Sequence, residues 1–287
     1  MRTLPTLILC LSLHAFAQIP VATQTLLDNV KSSESKSVIK SVLRIECPKD
    51  SAKGTGFVVS GIGVIVTNAH VAGNCNAADL VGVSAVSNDP VKFSSMVKDD
   101  NRDIALLCPT KALPFSLKLS GDEKPLVETE VETWGYSLRY NRAAPILSRG
   151  YLAGYDEGLD AQGRLKNPLV EHLIVNGAFN PGNSGGPLID KATGQVVGIV
   201  VEKWGLFLPL VEQVINALEH SPTMSGSALS YTDANGKTVR LMNEQITAAA
   251  LKEVYDKSQV MVGEAISVSE LNAFIKEKKK DLACGSK

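Results

Sequence analysis

Short apolar segments recur along most of this 287-residue chain, with Gly, Pro, Asp or Asn residues between them. Segments of this length are typical of β-strands, and many of them in series predict a barrel or a sandwich. They lie at residues 37–46, 56–60, 62–67, 104–107, 127–134, 148–154, 173–175, 187–190 and 196–201. The dipeptide Ser60-Gly61 predicts a hairpin turn between the second and third segments. We therefore expect an all-β fold.

The period of the apolar residues changes to helical spacing late in the chain. Residues 209–219 begin with a proline and then place apolar residues on one helical face, and residues 243–257 are rich in alanine. Residues 267–270 have the sequence Ser-Val-Ser-Glu, which is a capping box and predicts the start of a last helix. Two internal helices and one C-terminal helix are therefore expected beside the strands.

The N-terminus has the features of a secretory signal peptide. Arg2 precedes a short apolar stretch that ends in Ala15-Phe16-Ala17, an A-x-A cleavage site. We expect residues 1–17 to be removed after Ala17 and the protein to be secreted or periplasmic. The stretch is too short to span a bilayer, and no later segment reaches the required length, so no membrane span is expected.

Export changes the interpretation of the cysteines. Four remain after the signal peptide, namely Cys47, Cys75, Cys108 and Cys284. In an oxidising compartment these predict two disulfides, and three pairings are open. They lack a close C-x-x-C spacing, so we expect no metal site. The formal net charge of −1 and the absence of a long basic block exclude nucleic acid as the main partner.

Residues 180–187 place Ser184 within a glycine-rich turn between two apolar segments. A serine hydroxyl becomes a good nucleophile only when a base removes its proton and N–H groups hold the developing oxyanion. His70 follows the strand at 62–67, where an imidazole can be exposed. Asp103 precedes the strand at 104–107, where a carboxylate can orient that ring. The simpler alternative is a loop between strands, a surface histidine and a solvated acidic run.

Four motifs in this order resemble the chymotrypsin-like serine peptidases, and most closely their bacterial HtrA-type branch. They are Gly54-Thr55-Gly56-Phe57, Val66-Thr67-Asn68-Ala69-His70-Val71, Asp103-Ile104-Ala105-Leu106-Leu107 and Gly182-Asn183-Ser184-Gly185-Gly186-Pro187. The resemblance implies two perpendicular six-stranded β-barrels, at roughly 37–120 and 121–276, and a C-terminal helix within a protease domain at 18–287.

The same resemblance implies the chemistry. Ser184 is then the nucleophile, His70 the general base and Asp103 the residue that orients His70. The backbone N–H groups of Gly182 and Ser184 form the oxyanion hole. The substrates implied are polypeptides, hydrolysed through an acyl-enzyme without a cofactor. A catalytically silent binding or scaffold protein with the same fold is the alternative function.

Departures from the family pattern modify this expectation. Asn183 stands where activation by a new N-terminus needs an aspartate, so that form of activation is not expected. Ala178 lies six residues before Ser184, where the family places the base of the primary pocket, and Val200 stands where glutamate-specific relatives place a histidine. We therefore expect preference for an uncharged, small or medium apolar side chain. In the family, the strand through Val201, Glu202 and Lys203 pairs with the substrate backbone.

The end of the chain also departs from the family pattern. The resemblance implies a final strand at 262–266 followed by the last helix, which leaves residues 202–261 as a helical insertion beside the groove. Such an insertion would restrict access or bind a protein partner. A separate small helical domain is the alternative, and no PDZ domain is evident. For the cysteines, the expected pairs are Cys47–Cys75, near His70, and Cys108–Cys284, which ties the C-terminus to the first barrel.

Overall fold

Antiparallel β-sheet dominates the computed structural model of this chain. The structure describes residues 21–87, 89–121, 124–138, 144–156, 170–203, 217–218, 228–232, 238–242, 245–251, 262–278, 280–281 and 284. These residues form a seven-stranded sheet, a closed six-stranded barrel and a separate two-stranded hairpin. The predicted signal peptide at 1–17 lies outside the described residues.

The N-terminal half of the protein forms the seven-stranded sheet. Its strands are β1 (Val42–Cys47), β2 (Ala52–Val58), β3 (Ile65–Thr67), β4 (Val81–Ser84), β5 (Pro90–Val91), β6 (Phe93–Asp99) and β7 (Ile104–Pro109). Their order across the sheet is β5-β4-β1-β2-β3-β7-β6, and every neighbouring pair is antiparallel. The predicted hairpin joins β2 to β3, and its loop contains Gly61 and Gly63 at positive φ.

The C-terminal half forms the closed barrel. Its strands are β8 (Glu130–Gly135), β9 (Ile146–Asp156), β10 (His172–Gly177), β11 (Pro187–Asp190), β12 (Val196–Lys203) and β15 (Val262–Ser267), in the order β10-β15-β12-β11-β8-β9. Alternation along β10 shows why the sequence forms this barrel. Leu173 and Val175 are buried, whereas Asn176 between Val175 and Gly177 is exposed.

Among the described residues, the helices that flank the sheets include α1 (Val21–Asn29), α2 (Ser33–Ser41), α3 (Ala69–Ala72) and α4 (Val268–Lys278). α2 corrects the predicted strand at 37–46, whose first five residues are helical. Ser32 caps this helix by accepting a hydrogen bond from the Ser35 N–H. Val38 and Ile39 lie one helical turn after Ser35, and these three residues are buried on the same face of the helix. The alternating pattern is followed only from Val42 onward, in β1.

Two apolar cores hold the barrel and join it to the rest of the protein. Inside the barrel, the side chains of Leu173, Val175, Leu188, Val197, Val200 and Ala265 pack together. A larger cluster lies between the halves and contains Phe57 of β2, Ile199 of β12 and both Leu271 and Phe274 of α4. The C-terminal helix is therefore part of the main core.

The all-β prediction is confirmed, with one difference in the first half, where the seven-stranded sheet does not close. The strands predicted from 104–107 onward correspond to β7–β12, and the last strand and helix to β15 and α4. β4, β5 and β6 were missed. β6 has a pattern of exposed and half-buried residues, which gives a weak apolar signal.

The segment between Lys203 and Val262 connects two barrel strands that pair side by side. Its described residues include a hairpin of β13 (Ala228–Thr232) and β14 (Thr238–Met242), which the sequence did not predict. Of the two predicted helices, residues 217–218 and 245–251 are helical, and their remaining residues lie outside the described ranges. Among the described helices, none combines the length and apolar character that crossing a membrane requires.

The cysteines beyond residue 17 pair as the sequence analysis expected. Cys47 at the end of β1 bonds Cys75 just after α3, with Cα atoms 5.8 Å apart. Cys108 in β7 bonds Cys284 beyond α4, with Cα atoms 5.1 Å apart. Both separations lie in the usual range for disulfides. The first bond fixes α3 to the sheet, and the second ties the C-terminal segment to the first half.

Candidate active site

The structure brings His70 and Asp103 into direct contact at the ends of two paired strands. β3 and β7 pair through Thr67 and Ala105, so the residues after β3 and before β7 emerge at the same edge. His70 Nδ1 lies 2.8 Å from Asp103 Oδ2. The backbone N–H of His70 donates to the other carboxylate oxygen, Oδ1, at 2.9 Å. Asp103 therefore holds both the ring and the backbone of His70.

This contact fixes the chemistry of the imidazole. An ionised carboxylate only accepts hydrogen bonds, so Nδ1 of the neutral ring carries the proton and Nε2 keeps its lone pair. The His70 side chain is 51% exposed, so part of the ring is accessible from solvent. Asp103 has φ 54°, which is uncommon for a residue other than glycine, and Asn68 Nδ2 donates to its carbonyl oxygen at 2.9 Å.

Two consecutive tight turns, at residues 180–183 and 183–186, form the segment around Ser184, which is the second residue of the second turn. The Asn183 N–H donates to the Asn180 carbonyl at 2.9 Å, and the Gly186 N–H donates to the Asn183 carbonyl at 2.9 Å. In each turn the third residue is a glycine at positive φ, with values of 97° for Gly182 and 83° for Gly185. This arrangement is the signature of type II turns. The serine is half-buried between the two glycines.

Close packing as well as φ requires both glycines. A Cβ at Gly182 would collide with the Tyr136 carbonyl oxygen, and one at Gly185 would collide with the Thr55 carbonyl oxygen and Thr67 Oγ1. A side chain at Gly182 would therefore push the turn away from the segment after β8, and a side chain at Gly185 would push it away from β2 and β3.

Thr55 of β2 connects the Ser184 turn to the first sheet. Its N–H donates to the Ser184 carbonyl at 2.8 Å. Its hydroxyl donates to the Gly182 carbonyl at 2.7 Å and accepts from the Tyr136 N–H at 2.9 Å. The Thr55 carbonyl in turn accepts from the Thr67 hydroxyl at 2.7 Å. One buried threonine thus bonds the turn, β3 and the segment after β8.

The Ser184 turn and the segment carrying His70 meet across β2. A Cβ placed on Gly54 would lie 2.5 Å from a methyl carbon of Val71 and 2.8 Å from the Ser184 carbonyl oxygen. A Cβ on Gly185 would likewise lie 3.0 Å from the Asn68 nitrogen. Val71, which follows His70, therefore lies beside Gly54 together with Ser184, and Asn68 lies beside Gly185.

The sequence analysis expected the N–H groups of Gly182 and Ser184 to form an oxyanion hole. Among the residues that the structure describes, neither the Gly182 N–H nor the Ser184 N–H donates a hydrogen bond. The neighbouring amides are engaged, because Gly185 donates to the Val200 carbonyl at 2.8 Å. This bond also ties the turn to β12.

The expected substrate groove lies along β12. On one side β12 pairs with β15 as far as Lys203, which faces Gly263. On the other side β12 pairs with β11 only as far as Ile199. Val201 is a bulge residue in the ladder with β15. Within the described ranges, residues 201–203 therefore have no strand partner on their second edge.

Ala178 follows β10 and is half-buried, whereas the next residue, Phe179, is buried. Phe179 is only 2% exposed. Its ring lies against Gly263, because a Cβ there would collide with Phe179 Cδ2 and lie 2.7 Å from Cε2. The ring also belongs to the barrel core with Val200 and Ala265.

The comparison with protein families agrees with this geometry. A family model described as the trypsin-like peptidase domain matches residues 54–199, which include all of the residues discussed up to β12. The chain belongs to the trypsin-like peptidase family. No group of three or more His, Cys, Asp or Glu side chains suited to a metal occurs within the described part of this family member.

Several proteins with known names resemble this trypsin-like peptidase. It is 34% identical over 151 residues to "Serine protease HTRA1A" of Danio rerio, covering 52% of this chain and 29% of that protein. It is 30% identical over 158 residues to "Probable periplasmic serine endoprotease DegP-like" of Chlamydia muridarum, covering 53% and 28%. The chain thus spans less than a third of the length of these relatives.

Solved structures show the same fold. The active form of the Rv3671c protease from M. tuberculosis superposes with a TM-score of 0.54 at 20% identity. The superposition covers 91% of this chain and 87% of that one. The sequence resemblance to the HtrA-type branch is therefore confirmed by named relatives and the fold by a structural neighbour.

Sequence reasoning missed two residues of the site, Thr55 and Phe179. Thr55 lies within a motif that the sequence analysis used, but its bonding partners are distant in the chain, such as Gly182 at 127 positions away. Phe179 adjoins Ala178, and its apolar character was a signal that its side chain is buried. Its contact with Gly263 could not be derived from the sequence.

We expect Thr55→Val to lower the free energy of unfolding by about 2 kcal/mol or more, measured by urea denaturation. The variant keeps the shape but removes the hydroxyl, which leaves the buried Gly182 carbonyl and Tyr136 N–H without their partner. Thr55→Ser is the matched control, because it keeps the hydroxyl and should lose less than half as much. Equal losses in the two variants would show that packing, not hydrogen bonding, matters at Thr55.

Proposed function

We propose that this protein is an exported serine endopeptidase that cleaves peptide bonds through Ser184, His70 and Asp103. The observation that carries the proposal is the double contact of Asp103 with the ring and the backbone of His70. A solvated surface histidine needs no such partner. Membership of the trypsin-like peptidase family supports the reaction class.

The first half-reaction forms an acyl-enzyme. Nε2 of neutral His70 takes the hydroxyl proton while Ser184 Oγ bonds to the substrate carbonyl carbon. The carbonyl π electrons move onto the oxygen. The oxygen lone pair then re-forms the carbonyl as the C–N bond breaks, and His70 gives the proton to the leaving amine. Asp103 stays ionised and stabilises the imidazolium that forms between these two proton transfers.

The Gly182 and Ser184 N–H groups hold the developing oxyanion in this mechanism. Among the described residues, neither N–H donates a hydrogen bond to another group, which supports this role. A single such donor is worth roughly 3 kcal/mol of transition-state stabilisation in serine peptidases. The positive φ of Gly182 sets the direction of this turn, which is why a glycine precedes Asn183.

The second half-reaction repeats the same steps with water. His70 removes a proton from water as the water oxygen attacks the acyl carbon and the carbonyl π electrons move onto the oxygen. The oxygen lone pair then re-forms the carbonyl as the bond from the acyl carbon to Ser184 Oγ breaks, and His70 returns the proton to Oγ. Each proton and electron pair is therefore accounted for by the substrate, water and the three side chains. No metal or cofactor takes part in this proposal.

Docking along β12 would present the substrate to Ser184. An extended peptide can add to the unpaired edge of residues 201–203 through its backbone. The side chain before the scissile bond would then point between Ala178 and Val201. The ring of Phe179 lies behind this space, against Gly263. We therefore propose a shallow, uncharged pocket that takes a small apolar side chain.

Shortening Phe179 should deepen this pocket. For Phe179→Val we expect the ratio of kcat/KM for peptides with Leu over Ala before the scissile bond to rise about 10-fold or more. Parallel peptide substrates that differ only at that residue provide the measurement. Leu152→Val is the control, because Leu152 is buried in the same barrel core on another strand. An unchanged ratio in Phe179→Val, or a preference for Lys or Arg, would contradict the proposal.

Export is the second part of the proposal. The two disulfides support an oxidising compartment, since such bonds are rare in a reducing cytoplasm. Expression of the full chain with its natural leader should yield an extracytoplasmic protein that begins at Gln18. N-terminal sequencing of the mature protein measures this directly. A product retained in the cytoplasm that still begins at Met1 would contradict export.

A fluorophosphonate probe tests the nucleophile. The probe should label the wild-type protein at pH 8 as Ser184 Oγ displaces fluoride from phosphorus, and it should not label Ser184→Ala. Ser60→Ala, which removes an exposed serine elsewhere, should be labelled like wild type. Labelling should slow at pH 5, because protonated His70 has no lone pair to accept the proton.

Peptide hydrolysis by Ser184→Ala should fall by roughly 10⁴-fold or more. Absence of labelling and hydrolysis in the folded wild-type protein would instead support the alternative function, a protease-fold binding protein. The proposed role of residues 202–261 in binding a partner has no support from the described residues, and most of that segment lies outside them.

A further inference from the structure

Arg102 makes a cluster of contacts directly beside Asp103. Its Nη1 donates to Asp99 Oδ2 at 3.0 Å and to Glu277 Oε2 at 2.9 Å. Its Nη2 donates to Glu277 Oε1 at 2.8 Å, and its Nε donates to Glu270 Oε2 at 3.3 Å. One guanidinium therefore joins three carboxylates, and it grips Glu277 with two parallel hydrogen bonds.

The carboxylates belong to two different parts of the chain. Asp99 ends β6, whereas Glu270 and Glu277 lie on α4, 168 and 175 positions away from Arg102. Arg102 also lies over the ring of buried Phe274, with the guanidinium carbon 6.0 Å from the ring centre. The hydrogen bond to Glu277 is the main cause of a raised pKa for Arg102. The arginine thus ties the β6–β7 hairpin tip to the C-terminal helix.

α4 is a firm support for that tip. Leu271 and Phe274 are completely buried in the core between the two halves. Glu270 uses its second oxygen to accept the Glu171 N–H at 3.2 Å. Beyond the helix, Cys284 is bonded to Cys108 in β7, the strand that begins just after Asp103. The helix is therefore held to β7 through the disulfide as well as through Arg102.

Asp103 needs such a support. Its backbone has φ 54°, a conformation that is uncommon for residues other than glycine and that its surroundings help to hold. Two hydrogen bonds close the tip, because the Asn101 and Arg102 N–H groups donate to Asp99 Oδ1 at 2.9 and 3.1 Å. A closed tip could still pivot as a unit on its two strands. The Arg102 contacts with α4 oppose that movement.

We propose that Arg102 is a positioning residue that, by tying the β6–β7 tip to α4, keeps the Asp103 carboxylate on His70. An isolated surface ion pair contributes only about 0–1 kcal/mol to stability. Arg102 differs because it makes four hydrogen bonds, is only 22% exposed and is adjacent to a strained residue. The effect of Arg102 on the reaction rate rests on the proposed function. The effect of Arg102 on the contact between His70 and Asp103 does not depend on that function.

The kinetic test compares Arg102→Ala with wild type. A small displacement of Asp103 misaligns the base without changing the groove at β12. We expect kcat to fall about 10- to 100-fold while KM changes less than about twofold. Arg102→Lys should recover part of the loss, because lysine keeps the charge but cannot bond Glu277 through two parallel N–H groups.

Arg149→Ala is the matched control. Arg149 bonds Glu132 through two nitrogens at 2.9 and 3.1 Å, but it lies on β9 in the other half of the protein. This control should lose stability to a comparable degree and leave kcat within about twofold of wild type. If Arg102→Ala does not fold, Glu277→Gln removes the charged partner with little change of shape and should lower kcat in the same direction. Equal kcat effects in the Arg149 control and the Arg102 or Glu277 variants would overturn the proposal.

Proton NMR gives a readout that does not depend on activity. The proton shared between His70 Nδ1 and Asp103 should give a low-field resonance, assigned by its loss in Asp103→Ala. That resonance should broaden or shift in Arg102→Ala and stay unchanged in Arg149→Ala. An unchanged resonance in folded Arg102→Ala would overturn the inference. If the resonance shifts in Arg102→Ala but the wild-type protein hydrolyses no peptide, the positioning role of Arg102 stands and only the proposed function is refuted.

Discussion

The hydrogen bonds of Thr55 are the constraint on which the candidate site depends. Ser184 comes from the barrel, whereas His70 and Asp103 come from the seven-stranded sheet. Thr55 of the sheet donates hydrogen bonds to the barrel turn, from its N–H to the Ser184 carbonyl and from its hydroxyl to the Gly182 carbonyl. Both groups are buried, so losing either one leaves a polar partner without water to replace it. The relative position of nucleophile and base is thus fixed by a residue that has no role in the proposed chemistry.

The residues proposed for the chemistry were predictable because their sequence signals are local. Ser184 lies in a turn that needs glycine at fixed positions. His70 and Asp103 flank strands whose apolar residues are visible in the sequence. Thr55, Phe179 and Arg102 were not assigned roles. Each acts through partners on elements far away in the chain, and no local pattern encodes such contacts.

The fold shows the same division between local and distant information. Strands with continuous apolar character, such as β7 and β11, were found because burial on both faces leaves a strong signal. α2 was mistaken for part of a strand because its apolar residues are few and β1 follows without a break. The hairpin of β13 and β14 was missed because each strand has only five residues and mixed polarity.

Asn183 shows how the Ser184 turn is held without charge. It is only 2% exposed, and its amide packs against Gly135, where a Cβ would lie 2.9 Å from Asn183 Oδ1. An ionised carboxylate in that place would need a buried cation to offset the loss of water. A neutral amide avoids this requirement, and the turn is held by backbone bonds to Thr55 and Val200. The expectation that no new N-terminus is needed for activation stays a prediction, and it follows from this neutral anchoring.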